Sequence, residues 1–172
     1  MRPPWHEALL GVAVALALGA SEAHAEPPPD DPGEAAAGVA RESERAFQAL
    51  MGAIDTLPRD AAELTAWLPD ARVRLARAAA DRSQTPWIRI RSLQLVLRFS
   101  DAVPEVLALS VDPDAHVRGA AIYALARVHR AAPSRLRSDI ARTVALGLTD
   151  LDPIVRAPAA RGLRWLVAPR RP

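Results

Sequence analysis

Residues 112–128 read DPDAHVRGAAIYALARV, and residues 150–166 repeat the pattern as DLDPIVRAPAARGLRWL. Both stretches begin with aspartates, continue with Val-Arg, and place small or apolar residues 4, 7, 8 and 11 positions after that valine. This spacing puts the side chains on one face of an α-helix. Residues 85–99 form a weaker third copy around Ile88-Arg89. A helix that recurs after 29 and then 38 residues predicts an all-α fold of stacked helices.

Shorter helices are predicted around the three repeated ones. Residues 104–110 and 133–148 carry apolar residues at helical spacing, as do residues 39–57, 61–68 and 70–80. Pro58 is expected to end the helix predicted at residues 39–57, because proline cannot continue a helix. The predicted core stripes of the repeated helices are Ile88, Ser92, Leu95, Val96 and Phe99; Val117, Ala121, Ala124, Leu125 and Val128; and Val155, Ala159, Gly162, Leu163 and Leu166.

The repeated stretches resemble HEAT repeats, particularly the short HEAT-like repeats of phycobilisome lyases. The resemblance covers roughly residues 59–168 and implies an α-solenoid of about three helix pairs that binds proteins. It would be preceded by an amphipathic helix at 38–58 and followed by a tail at 169–172. The name of the lyase family does not imply that activity here. Pro158 departs from the pattern: it removes a backbone hydrogen bond to Ile154 and is expected to kink the last helix.

The N-terminal residues 1–25 have the pattern of a secretory signal peptide. Arg2 precedes an apolar run at 8–18, ALLGVAVALAL, and Ala23-His24-Ala25 fits the cleavage pattern. We therefore expect export by the general secretory route, cleavage after Ala25, and a periplasmic or secreted protein without a stable membrane span. An uncleaved N-terminal anchor is the alternative. Residues 26–37, EPPPDDPGEAAA, are predicted to be a flexible linker.

Charge is distributed unevenly along the chain. Residues 26–70 contain three Arg and ten acidic residues, whereas residues 71–172 contain eighteen Arg and eight acidic residues. The basic part favours an acidic protein partner, and export argues against nucleic acid. The acidic linker could also fold back onto the basic part. The sequence contains no Lys and no Cys, which excludes lysine Schiff-base chemistry, disulfides and thiol nucleophiles. It leaves the oligomeric state open.

Arg89, Arg118 and Arg156 recur at the same place in the three copies, and we expect them to pair with loop acids such as Asp112 and Asp150 of a neighbouring repeat. No catalytic, cofactor or metal site is predicted. The sequence has no GxSxG, HExxH or GxGxxG motif. The two histidines outside the signal peptide, His116 and His129, lie about 220° apart around one helix.

A partner-binding surface is predicted from the positions that vary between the copies. By the resemblance, the second helix of each pair lines a concave face. The residues there are Gln94, Arg98, Tyr123, Arg127, Arg161 and Trp165. Arg, Tyr and Trp dominate binding hot spots, although edge packing and solvation would also explain them. The sequence favours a non-catalytic scaffold or adaptor in the cell envelope. The alternatives are a lyase-like or other HEAT-type enzyme, and a basic anion- or nucleic-acid-binding module.

Overall fold

The computed structural model describes residues 32–53 and 57–167, and every regular element in these two ranges is helical. The signal peptide, residues 26–31 of the linker, Ile54 and the tail at 169–172 lie outside the described residues. None of the described helices is long and apolar enough to cross a membrane. The eight α-helices are α1 (Pro32–Gly52), α2 (Ala61–Trp67), α3 (Ala71–Ala80), α4 (Pro86–Val96), α5 (Val103–Leu109), α6 (Ala115–Val128), α7 (Ser134–Gly147) and α8 (Pro153–Val167), with a 3-10 turn at Ser100–Ala102.

Helix α1 corrects two boundaries predicted from the sequence. It begins at Pro32, inside the stretch expected to be a flexible linker, and it ends at Gly52, before the predicted end at Leu57. Proline is favourable in the first turn, since its missing N–H has no helical partner there, and three consecutive alanines follow at 35–37. Gly52 is a poor helix former, so the helix stops well before Pro58.

The chain divides into two units, Met1–Val39 and Ala40–Pro172. The described part of the short unit is the first portion of α1. Within the larger unit, α3 packs on α4, α5 on α6, and α7 on α8, and we call these the first, second and third helix pairs. The second helices also touch one another: α6 contacts α4, and its most extensive contacts are with α8.

The second helix of each pair begins in the same way. A polar side chain just before the helix accepts a hydrogen bond from a backbone N–H of the first turn. The acceptor is Thr85 Oγ1 before α4, Asp114 Oδ1 before α6 and Asp152 Oδ1 before α8. Such caps satisfy N–H groups that have no partner within the helix. Asp114 and Asp152 therefore act as the N-caps of α6 and α8.

Most of the predicted stripes form the core. The larger cluster of buried side chains contains residues from every helix from α1 through α7. The smaller cluster consists of Ile122, Ala126, Val144, Val155 and Ala159. Two predictions were wrong. Phe99 lies beyond the end of α4 at Val96, although it still packs on the core from the turn. Leu163 is 38 % exposed, since among the described residues no further helix covers its side of α8.

The α6–α8 contact depends on small residues. A Cβ atom added at Gly119 would lie 2.9 Å from the carbonyl oxygen of Ile154 and 3.3 Å from the Pro158 ring, and one added at Gly162 would lie 2.8 Å from Ala126. Helix α8 continues through Pro158. Because proline has no N–H, the Ile154 carbonyl lacks its helical donor, and this carbonyl is the group that faces Gly119.

Candidate partner-binding surface

Five of the six predicted partner-binding residues line two adjoining grooves across α4, α6 and α8. One groove, of about 430 Å³, includes Gln94, Tyr123 and Arg161. The other, of about 300 Å³, includes Gln94, Arg98 and Arg127. Gln94 therefore connects the two. Arg98 lies in the turn after α4 and not on the helix itself, which corrects the predicted placement. We call these two grooves together the α4–α6–α8 surface.

Trp165, the sixth predicted residue, lines neither groove but lies beside Tyr123. Arg164 connects the two aromatic side chains: its guanidinium is 5.1 Å from the centroid of the Trp165 ring, and its Nη2 donates a hydrogen bond of 3.4 Å to the Tyr123 hydroxyl. Arg161 lies 5.8 Å from the Tyr123 ring on the groove side. Tyr123 and Trp165 are thus held in a cluster with two arginines, in cation–π geometry.

The electrostatic effect of this cluster appears in the pKa of Tyr123. Burial raises that pKa, but hydrogen bonds from Arg164 and Trp165 and the charges of Arg164 and Arg127 outweigh it, so the net shift is downward. A phenol whose ionised form is favoured lies in a positive local potential. The same potential favours a negatively charged ligand at this end of the surface.

None of the acidic residues that the structure describes neutralises the positive charges of the α4–α6–α8 surface. No Asp or Glu is among the described residues that line either groove. Arg98, Arg127 and Arg161 form no salt bridge with any described residue. Elsewhere arginines are paired: Arg72 lies 3.2 Å from Asp101, and Arg74 pairs with Glu44.

Sequence reasoning missed several residues of this surface. His116 and Ile154 line the first groove, and each lies seven residues before a predicted residue, Tyr123 or Arg161. Two helical turns separate such positions, so extending the same helix face by two turns towards the N-terminus would have included both residues. Arg91 lines the second groove and donates hydrogen bonds to the carbonyls of Leu50 and Ala53. That contact with the end of α1 has no signal in the repeat pattern.

Two of the three recurring arginines, Arg89 and Arg118, join successive helix pairs as predicted, whereas Arg156 binds only the backbone carbonyls of Asp150 and Leu151 among the described residues. Arg89 binds both carboxylate oxygens of Asp112 across the first joint, between the first and second pairs. Arg118 does the same with Asp150 across the second joint, through Nε at 2.9 Å and Nη2 at 3.0 Å. Its Nη1 also donates to the Asp112 carbonyl at 2.7 Å. These ion pairs fix the register of α4, α6 and α8 and so hold the surface in place.

Both aspartates of the joints have lowered pKa values. The hydrogen bond from Arg118 is the main cause of the lowered pKa of Asp150. For Asp112, burial raises the pKa, but the hydrogen bonds from Arg89 and from the Asp114 N–H and the nearby positive charges outweigh it. Both carboxylates are therefore ionised at neutral pH and act as fixed acceptors.

Within residues 32–53 and 57–167, no three His, Asp or Glu side chains come together as a metal would require. Comparison with known proteins identifies no matching family model, no similar curated protein and no similar solved structure. The resemblance to HEAT repeats rests on the repeated residues described above.

Proposed function

We propose that this chain is an exported, non-catalytic HEAT-like solenoid that acts as a scaffold or adaptor in the cell envelope, and that it binds an acidic segment of a protein partner on the α4–α6–α8 surface. The observation that carries the proposal is the shared location of the six residues selected from the sequence. They lie on or beside two grooves whose lining, within residues 32–53 and 57–167, contains arginines but no carboxylate.

The chemistry of the grooves suits a peptide with both acidic and apolar side chains. Arg98, Arg127 and Arg161 offer charge-assisted hydrogen bonds, which are stronger than bonds between neutral groups. The first groove also contains Ile90, Ala120 and Pro158, an apolar lining for one aliphatic or aromatic side chain. Long-range attraction between the basic surface and an acidic segment would speed association more than it would strengthen the final complex.

A crosslinked pull-down of the tagged protein from the cell envelope tests this proposal. The test variant carries Arg127→Ala and Arg161→Ala. The matched control carries Arg135→Ala and Arg142→Ala, which remove two exposed arginines from α7. We expect a protein partner that the control retains and that the test variant loses by about ten-fold or more, as for hot-spot residues. Raising the salt concentration is expected to weaken the wild-type complex.

Two results would contradict the proposal. Equal recovery of the partner by the test variant and the control would show that binding uses another surface. Recovery of nucleic acid without protein would favour the anion-binding alternative.

A further inference from the structure

The hydroxyl group of Tyr123 is surrounded by hydrogen-bond donors. Arg164 Nη2 donates to the phenolic oxygen at 3.4 Å, and the indole N–H of Trp165 also donates to it. A tyrosine hydroxyl can accept hydrogen bonds and has one proton to donate, whereas guanidinium and indole N–H groups can only donate. The accepting side of the hydroxyl is therefore in use, and its proton remains available for a further hydrogen bond.

The groups around Tyr123 include no acceptor for that proton. Within residues 32–53 and 57–167, the Tyr123 hydroxyl donates no hydrogen bond, and Arg127 and Arg161 form no salt bridge. Arg161 lies 5.8 Å from the centroid of the Tyr123 ring, and the charge of Arg127 also acts on the phenol. Donors that converge without an acceptor are suited to an oxyanion, because hydrogen bonds to an ionised acceptor are short and strong.

We propose that Tyr123, Arg161 and Arg164 form a carboxylate subsite of the α4–α6–α8 surface, in which the Tyr123 hydroxyl donates its proton to an Asp or Glu side chain of the partner. Arg161 lines the first groove and supplies the countercharge. Arg164 lines neither groove and is a positioning residue, since it acts through the phenolic oxygen. The inference rests on the function proposed above and names the group of the partner that this end of the surface binds.

Tyr123 is the only tyrosine of the chain, so its ionisation can be followed by ultraviolet absorbance without another phenol. The probe is an acetylated tetraglutamate peptide, and tetraglutamine at the same ionic strength is its control. We expect tetraglutamate to raise the pKa of Tyr123 by about one pH unit, because the bound carboxylate accepts the phenolic proton and disfavours a second negative charge. Arg127, Arg161 and Arg164 keep their charge across this titration. His116, which lines the same groove, is uncharged in alkaline solution.

Two substitutions separate the hydroxyl from the rest of the subsite. Tyr123→Phe keeps the ring that Arg161 contacts and removes only the donor, so we expect it to weaken tetraglutamate binding by about ten-fold. Arg164→Ala is expected to weaken binding by about three-fold in the wild type but to have almost no effect in Tyr123→Phe, because the two residues are coupled. Arg164→Ala should also move the pKa of Tyr123 towards its ordinary value. The matched control, Arg135→Ala, removes an exposed arginine of α7 and is expected to change neither quantity.

Three results would overturn the subsite. One is equal binding of tetraglutamate by the wild type and Tyr123→Phe, which would leave the proposed surface intact because the pull-down depends on Arg127 and Arg161. Another is a pKa of Tyr123 that does not move when the chain is saturated with tetraglutamate. The third is a wild type that binds tetraglutamate no better than tetraglutamine, in which case the pull-down would still decide whether the surface binds a partner.

Discussion

The two joints between helix pairs contain the same ion pair in different surroundings. At the first joint the Arg89 and Asp112 side chains are each 4 % exposed, whereas at the second joint Arg118 and Asp150 are each 18 % exposed. Both residues of the first joint are among the few buried charged residues that the structure describes. Burial therefore differs between joints that the sequence makes look alike.

The close approaches between helices are found at the second joint, although its ion pair is the more exposed of the two. The glycines that meet close neighbours, Gly119, Gly147 and Gly162, all lie at the second joint. There the helices approach through small residues, and the joint depends on backbone proximity more than on large apolar side chains. The comparison teaches that a repeated motif fixes the register between pairs, while the residues around it decide which interaction supplies the stability.

The largest expected effect comes from removing one member of the buried pair. Arg89→Ala leaves the Asp112 carboxylate buried without its partner, and such changes cost about 3–5 kcal/mol. Denaturant unfolding followed by circular dichroism measures this loss. Replacing both members by apolar residues, Arg89→Met with Asp112→Leu, is expected to recover most of it, because no uncompensated charge remains. A single variant as stable as the wild type would contradict the assignment of this pair as buried.

A second prediction concerns the close approach at the second joint. Gly119→Ala places a Cβ 2.9 Å from the Ile154 carbonyl oxygen, so that α6 and α8 must separate. We expect a loss of about 1–3 kcal/mol in the free energy of unfolding. Gly38→Ala in α1 is the matched control, because an added Cβ there meets nothing within 4 Å. The control is expected to be neutral or slightly stabilising. Equal effects of the two substitutions would show that close packing does not hold the second joint.

The smallest expected effect comes from the more exposed ion pair. Arg118→Ala removes its charged hydrogen bonds but leaves Asp150 accessible to water, so we expect a loss of about 1–2 kcal/mol, less than for Arg89→Ala. The same unfolding measurement tests the ranking of the two joints. A greater loss for Arg118→Ala than for Arg89→Ala would reverse the comparison.

The pH dependence of stability gives a second test of the Arg118–Asp150 ion pair. The folded pKa of Asp150 lies below its ordinary value of 3.8, chiefly because of the Arg118 hydrogen bond. The contribution of this pair to stability is therefore complete above that value and is lost as the pH falls through the lowered folded pKa. Unfolding measured at decreasing pH should show a smaller acid-dependent loss in Arg118→Ala than in the wild type.

Much of the fold could be predicted because its signals are local and repeated. The positions of Ile88, Val117 and Val155, each followed by arginine, predicted three equivalent helices, and the loop aspartates predicted the ion pairs of Arg89 and Arg118. The shared location of Tyr123 and Arg161 was predicted from the alignment of the repeated helices together with the resemblance to HEAT repeats. The resemblance to a solenoid remains a prediction, as does the role of the surface in binding.

The rest depends on neighbours that the sequence pattern does not show. Leu163 matches Leu125 in the repeat, but only a following helix would cover it. Phe99 continues the apolar spacing of α4 after the chain has turned, because a turn can also bring an aromatic side chain onto the core. The hydrogen bonds of Arg91 to the end of α1 join residues about forty positions apart, and no helical period relates such positions.

The ion pairs at the two joints are oriented in the same way along the chain, because each arginine binds an aspartate of the following helix pair. Arg118 donates hydrogen bonds to the carbonyls of Asp112 and Pro113 in the loop before α6, and it pairs with Asp150 in the loop before α8. Because Arg89 also binds Asp112, the loop before α6 is held by two arginines, one from α4 and one from α6. The loop before α8 is held by Arg118, but Arg156 makes no ion pair with a described residue further along the chain. Where stability comes from contacts between neighbouring helix pairs, local unfolding begins where such a contact is missing. Among the described helices we therefore expect α8 to open first, while the first joint remains closed.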